Sequence, residues 1–388
     1  MSALTNRQSA AESTATFPLS SQQREMWLDQ ALHPDSPLYN IGAHVCIEGG
    51  LDGELFERAL AHVVQMNDAF RLELVETETL PVQRIVAQRD PALTRLDFSG
   101  SEDADARALE WIQARVAEPL PLLSRPLFRF ALLKVAPERH YWFFQLHHLM
   151  ADGWSIALIV QLVAKAYNAL RAAEALPQAP EPSYRDIVAS QQAYEDSADH
   201  ARDAAYWREY FSTLPEPLAR PAGPSPSTRD LPRRAVLSLS AEFYPRLEAF
   251  ARRQGTTTAQ VMLGVLYGYF TRTAQREDLV LGMATRNRFG ESALRTVGLC
   301  SNTVSSWYRF GTQLTFAELL RAMREEGRKG SEHRRFQNGE VNRQSGVART
   351  GHSQLAPVSL SHMEIDCDVR LGEASVRVQL VKIGRAHV

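Results

Sequence analysis

The chain has 388 residues, 44% hydrophobic and 23% charged, with 43 Lys+Arg against 45 Asp+Glu. That is the make-up of a globular protein long enough for two domains or one two-lobed unit. The near-neutral balance argues against a general nucleic-acid binder or a polybasic membrane protein. Cys46, Cys300 and Cys367 are far apart and odd in number, so they form neither a disulfide framework nor a zinc knuckle. This usage fits a reducing cytosol. No apolar signal core opens the chain and no apolar run reads as long enough to span a bilayer, so the expected location is cytoplasmic, with no membrane partner.

Residues 1–16 are small and polar and read as a disordered tail. In PLSSQQREMWLDQ (18–30), Ser20 or Ser21 is placed to cap a helix carrying Trp27 on its apolar face. Tyr39–Glu48 alternates and predicts a strand, and Leu51–Met66 has apolar residues at helical spacing. Strands are expected at Arg84–Val86, Phe128–Val135 and the aromatic run His140–His147, followed by a helix over Trp154–Leu170. Leu176–Ser183 holds three prolines and reads as an extended linker. Tyr184–Leu214 is expected to be helical, and a break with six prolines covers Leu214–Arg233. A strand (Ala235–Leu239), two helices (Glu242–Arg253 and Thr258–Thr273) and a strand (Leu279–Ala284) follow. The mixed order predicts an α/β (α+β) protein with a first lobe over 17–175, a linker over 176–183 and a second lobe over 184–382.

The chemistry concentrates in HHLMADGWS, His147–Ser155, where an aromatic strand gives way to a helix. Neighbours in a strand point to opposite faces, so if strand geometry continues through both histidines, only one faces a site while the other packs or holds the loop. Asp152 before the helix reads as a structural carboxylate that caps the helix or takes an arginine. Gly153 permits a close backbone approach, and its N–H at a helix N-terminus suits developing negative charge. Two adjacent histidines without a third ligand at a standard spacing do not predict a metal site. No G-x-S-x-G elbow marks a serine nucleophile.

His147–Gly153 matches HHxxxDG, and with its flanks the chain resembles the condensation domains of nonribosomal peptide synthetases and related CoA-dependent acyltransferases. The resembling flanks are PLSSQQREMWLDQ with PLYNIG (37–42), the stretch ending in SRPLF, SYRDIVASQQAY (183–194), YWREYF (206–211), GMATRNR (282–288), VGLCSNTV (297–304) and HRRFQNGEVNR (333–343). It covers about residues 17–380. Two places depart from the family pattern: MNDAFRLEL (66–74) keeps Arg71 but lacks the leading basic pair, and Trp307 stands where an arginine is usual.

The resemblance implies a V-shaped pseudodimer of two chloramphenicol-acetyltransferase-like lobes. It implies amide formation between a donor acyl thioester and the amine of an acceptor aminoacyl thioester. Both would be held on 4'-phosphopantetheine arms of donor and acceptor carrier proteins, with an adenylation domain in the same synthetase. No cofactor of the domain's own, no metal and no nucleic acid are implied. His148, as the second motif histidine, would face the substrates. His147 and Gly153 complete the candidate catalytic set, and Asp152 would be structural, paired with Arg288 or, less favoured, Arg71.

Two other readings compete. An epimerization domain shares HHxxxDG but needs a second acid or base, and none of Glu291, Glu332 or Glu340 sits in a recognisable motif for it. A non-catalytic carrier-protein docking module would tolerate loss of His148 or Asp152, and both are present. A cyclization domain would carry aspartates in place of the histidine pair. Because only about sixteen residues precede the first motif, the donor is expected in trans, on CoA or on a separate carrier. Compared with the family, the chain stops before the closing strands of the second lobe, which is expected to leave an unpaired sheet edge and uncovered apolar surface. Residues 383–388 (IGRAHV) are what one frame of a common sequencing-adapter DNA encodes, and are read as an artefactual tail.

Overall fold

A computed structural model describes residues 15–382 apart from 181, 217, 219–234, 312, 353 and 364–368. Residues 1–14 of the expected tail, Cys367, most of the second proline-rich break and the 383–388 hexapeptide lie outside the described residues.

In chain order the elements are β1 (Phe17–Pro18), α1 (Ser21–Leu32), β2 (Asn40–Glu48), α2 (Gly53–Met66), β3 (Leu72–Val75), β4 (Val82–Ile85), β5 (Thr94–Asp97), α3 (Ala104–Val116), β6 (Phe128–Ala136), β7 (Arg139–His147), α4 (Gly153–Ala172), α5 (Tyr184–Glu195) and α6 (Ala198–Tyr210). These are followed by α7 (Phe243–Arg253), α8 (Thr258–Ala274), β8 (Asp278–Thr285), β9 (Asn302–Arg309), α9 (Phe316–Glu332), α10 (Asn338–Ser345), β10 (Val358–Leu360), β11 (Arg370–Leu371) and β12 (Ala374–Lys382). The chain is thus mixed α/β. It divides into two compact units, one built from residues up to Ala193, Arg288–Cys300 and the stretch from Met363, the other from Tyr194–Asn287 and Ser301–His362.

The first unit is organised by a six-stranded sheet in the order β11-β12-β2-β7-β6-β5. Its pairings are antiparallel except β5 with β6. β2 and β7 pair in register from Asn40↔His147 to Glu48↔Arg139, so the end of β7 is fixed by a full-length ladder. On one face α2 and α4 pack Phe56, Leu60, Val63 and Val64 with Ile156, Ile159, Val160 and Val163 over Trp142 and Phe144. On the other face α3 sets Ala108, Ile112 and Val116 against Ala131, Tyr141 and Phe143. Burying each such aliphatic or aromatic side chain contributes roughly 1.5–3 kcal/mol. Contrary to the expectation that no stretch is long and apolar enough to span a bilayer, α4 meets that test by length and composition. Its Ile156, Ile159, Val160, Val163, Ala164 and Tyr167 are core residues, which accounts for its apolarity.

The second unit has a three-stranded sheet, β10-β8-β9, with β10 parallel and β9 antiparallel to β8. α8 and α9 bring Leu263, Tyr267 and Met323 to Leu279, Leu281 and Tyr308 on one face. α6 and α10 bring Trp207, Phe211 and Val341 to Val280, Val304 and Trp307 on the other.

Two expectations are corrected. Tyr184–Leu214 is not one helix: it breaks after Glu195, and Ser197 restarts it by accepting the His200 N–H. Ala235–Leu239 is no strand. Its residues pair with none of the described strands, and Val236, Leu237 and Leu239 are exposed.

Candidate active site

The loop between β7 and α4 lies against the start of α1. Ser20 caps α1 and forms a reciprocal capping box with Gln23, which fixes the first turn. From there Gln23 Nε2 donates to the carbonyl of Leu149 (2.9 Å) and to Gln83 Oε1 (3.1 Å). One turn after Met26, Gln30 spends its Nε2 on the carbonyls of His33 and Ser36 (2.6 and 3.0 Å), which turns its Oε1 toward His147 Nε2 at 3.4 Å.

β7 ends at His147, and His148 begins a turn, so strand geometry does not continue through both histidines. What separates the two rings is the end of the strand. His147 Nδ1 accepts the N–H of Leu149 (3.2 Å), which puts the ring proton on Nε2, facing Gln30. Burial, reinforced by the neighbouring His148 charge, pushes the His147 pKa down to about 3. This histidine is a neutral structural strut across the whole physiological range.

His148 is buried too, and its backbone N–H donates to the Tyr39 carbonyl (2.9 Å). Its ring differs from that of His147 in having Nδ1 buried without a well-formed hydrogen bond among the described residues. Burial lowers its pKa, while the Asp152 carboxylate and the nearby carbonyls of His148 and Ala151 oppose that shift. The ring is therefore held in its neutral form at pH 7.

Asp152 is the N-cap of α4, and every acceptor direction of its carboxylate is used. Oδ1 accepts from the Ser155 N–H (3.1 Å), and Ser155 Oγ lies 3.0 Å away. Oδ2 accepts from the Cys300 N–H (3.1 Å). Arg288 donates through Nη1 to Oδ2 (2.6 Å) and through Nη2 to Oδ1 (3.2 Å), a fork-to-fork pair with both side chains fully buried. Arg288 Nη2 also reaches the carbonyls of Gly298 and Thr296 (3.0 and 3.3 Å). Burial alone would raise the Asp152 pKa; the Arg288 charge and hydrogen bonds, with the N–H groups of Cys300 and Ser155, outweigh it and hold the carboxyl below the usual range. Gly298 has to be glycine because the Tyr184 ring occupies the place of its Cβ, 2.2 Å away.

Of the sequence candidates, the structure brings together His147, His148, Asp152 and Gly153 on one loop and sets Arg288 on Asp152. Arg71 instead bonds Asp68 and the carbonyl of Val86. Glu340 bonds His200, Glu332 bonds Arg328, and Glu291 is exposed. Among the described residues no cluster of His, Cys, Asp and Glu is arranged to hold a metal ion. Sequence reasoning missed Gln23, Gln30 and Ser155 as supports of the loop. Gln23 and Gln30 lie inside PLSSQQREMWLDQ, and the S-x-x-Q spacing of the capping box was a readable signal for the first.

The sequence profile of the Condensation domain family matches residues 13–367. The isonitrile lipopeptide synthase of Streptomyces coeruleorubidus is 29% identical over 368 residues, covering 95% of this chain but 25% of that protein. The dimodular nonribosomal peptide synthase of Bacillus subtilis is 28% identical over 341 residues, covering 88% of this chain and 14% of its own length. The chain thus spans only a small part of the curated relatives it matches. Among solved structures, the starter condensation domain of rhizomide synthetase, a mutant in complex with C8-CoA, superposes with a TM-score of 0.87 at 30% identity, over 97% of this chain and 85% of that one. The first condensation domain of the CDA synthetase superposes at 0.86 with 27% identity, over 96% and 86%. With a family profile across most of its length and the HHxxxDG loop built as described, the chain belongs to the condensation-domain family of nonribosomal peptide synthetases.

Proposed function

We propose that this domain forms an amide between a donor acyl thioester and the amine of an aminoacyl thioester carried on a carrier protein's 4'-phosphopantetheine. The observation that carries the reading is His148: a buried, neutral imidazole at the end of the central sheet, on a loop pinned by Asp152, Gln23 and Tyr39. The acceptor amine attacks the thioester carbonyl and the C–N bond forms, giving a tetrahedral intermediate whose C–S bond breaks when it collapses to the amide. His148 takes the proton from the amine nitrogen in the zwitterionic tetrahedral intermediate, and the departing sulfur receives a proton as the thiol is released. Gly153 N–H is the candidate donor to the oxyanion. Asp152 and Arg288 position the loop and do not exchange protons.

Magnitudes favour positioning over base strength. A free α-amine has a pKa near 7.7, so roughly a sixth is neutral at pH 7, a penalty of only ~1 kcal/mol. Holding two tethered thioesters in register can contribute ~7–11 kcal/mol. A fatty-acyl donor, on CoA or on a carrier, is supported by similarity to a starter condensation domain solved with C8-CoA and to a lipopeptide synthase. The reading places the domain in the cytoplasm, beside an adenylation domain and two carriers.

Incubating acyl-CoA and an aminoacyl carrier with wild type and with His148→Ala tests this. Amide product from wild type, lost in a well-folded His148→Ala, is expected. Exchange of the aminoacyl Cα proton without amide would point to epimerization, and no turnover by wild type to a docking module.

A further inference from the structure

Gly153 begins α4, and its Cα is in direct contact with a side chain from far along the sequence. A Cβ at this position would lie 2.3 Å from Met363 Sδ, 3.5 Å from its Cε and 3.8 Å from its Cγ. Met363 is half-buried. Among the described residues no hydrogen bond engages the Gly153 N–H. So the space that a glycine leaves open beside the loop is filled by the tip of a thioether, at the residue whose N–H is an unused backbone donor. A methionine side chain is unbranched, with three rotatable bonds, and fills irregular gaps that it can also vacate. Leucine or phenylalanine would make a more rigid wall.

We infer that Met363 is a specificity-determining residue: its thioether sets how much branching a donor acyl group can carry next to its reacting carbonyl. The inference rests on the proposed condensation reaction, in which the donor carbonyl oxygen is received at Gly153 N–H. The volume beside that amide is then occupied by the acyl Cα and Cβ. An unbranched acyl chain passes Met363 in its observed position, whereas a substituent on Cα displaces the sulfur. One methylene in a hydrophobic pocket is worth ~10–200-fold in discrimination, which sets the expected scale.

The test compares octanoyl-CoA with 2-methyloctanoyl-CoA, measuring binding by titration calorimetry and amide formation with one aminoacyl carrier. Wild type should prefer the unbranched donor. Met363→Ala should reduce that preference by about tenfold, and Met363→Leu should retain it. Should Met363→Ala fold poorly, Met363→Val should shift the preference in the same direction. The packing is read separately by thermal unfolding: Gly153→Ala should lower the melting temperature of wild type and have a smaller effect in the Met363→Ala background. A preference unchanged in both Met363→Ala and Met363→Val, or a wild type that binds neither donor, overturns the inference. A shifted binding preference with no amide under any condition sustains the role of Met363 and refutes the condensation reading instead.

Discussion

Each unit buries an aspartate, and the two are held in different ways. In the first, Asp152 is surrounded by donors that keep their protons at every ordinary pH: the Arg288 guanidinium, the N–H groups of Ser155 and Cys300 and the Ser155 hydroxyl. In the second, Asp203 on α6 accepts from the Tyr194 hydroxyl (2.7 Å) and faces His333 Nδ1 (2.8 Å) at the end of α9, with Arg202 at 3.2 Å from the solvent side. Burial and the adjacent Asp203 push the Tyr194 phenol well above its usual pKa, so it too remains a donor. Tyr206 stacks on the His333 ring at 3.8 Å, and a second imidazole, His200, bonds Glu340 at 3.2 Å. The Asp152 network therefore has a fixed charge state, which suits the proposed role of its loop in presenting His148 in one geometry. The Asp203 network is instead built on imidazole and phenol partners, with its one guanidinium reaching in from the solvent side. Rigidity at the candidate active site comes from choosing partners that do not titrate.

The largest effect expected from this contrast is that of Asp152→Asn, which leaves Arg288 buried without its counter-charge and should cost ~3–5 kcal/mol in urea unfolding. Combining it with Arg288→Met should recover much of that loss. Additivity of the two changes to within ~0.5 kcal/mol would mean the pair is not the unit described here.

A second expectation concerns acid. His147 is held neutral down to about pH 3, whereas in the unfolded chain it protonates near 6.5. Between those values the unfolded state binds a proton that the native state refuses. Stability should therefore fall as pH drops below 6.5, by ~1.4 kcal/mol per pH unit. His148, shifted in the same direction, adds to the slope. Replacing His147 by glutamine should flatten the dependence between pH 6 and 4; an unchanged slope would move its origin elsewhere. The Asp152 contribution runs the same way but at lower pH: present above the unfolded carboxyl pKa, it is lost only as pH falls through the depressed folded value.

Asp203→Asn should cost less than Asp152→Asn, about 1.5–3 kcal/mol, because it weakens charged hydrogen bonds without stranding a buried guanidinium. A loss equal to that of Asp152→Asn would erase the distinction between the networks. The smallest effect is expected for His200→Gln, at or below ~1 kcal/mol, since its pair with Glu340 is partly open to water. Urea unfolding of this variant beside wild type measures the loss, and a cost as large as that of Asp203→Asn would overturn the ordering.

Much of the first unit was readable along the chain. β2, β6 and β7, the capped helix after Ser20 and the long helix after Gly153 all carry local periodicity or a capping residue that tertiary packing agrees with. β9 was not assigned as a strand, because NTVSSWYR has no alternation: Asn302, Thr303, Ser305 and Ser306 are buried with its aromatics. Asn302 is satisfied by the carbonyls of Arg334 and Phe336, and Ser305 by Asn338, partners that no local reading supplies. Ala235–Leu239 fails in the opposite sense. It alternates like a strand, but a strand exists only through a neighbour's hydrogen bonds, and none of the described strands lies beside it.

For the candidate site, the sequence by itself determined the loop: the residue types in HHLMADGWS, a strand before it, a helix after it, and a capping aspartate between them. These follow from local steric and hydrogen-bonding preferences, which act over a few residues. Only the tertiary structure decided how the two histidines differ. Strand alternation would have separated them, yet the separation comes from where the ladder with β2 stops and from which ring Gln30 and the Leu149 amide satisfy. The same holds for the choice of Arg288 over Arg71, and for the thioether laid against Gly153. The Gln30, Arg288 and Met363 contacts join residues more than a hundred positions apart, and only the folded backbone brings them within the few ångströms over which ion pairs and packing act.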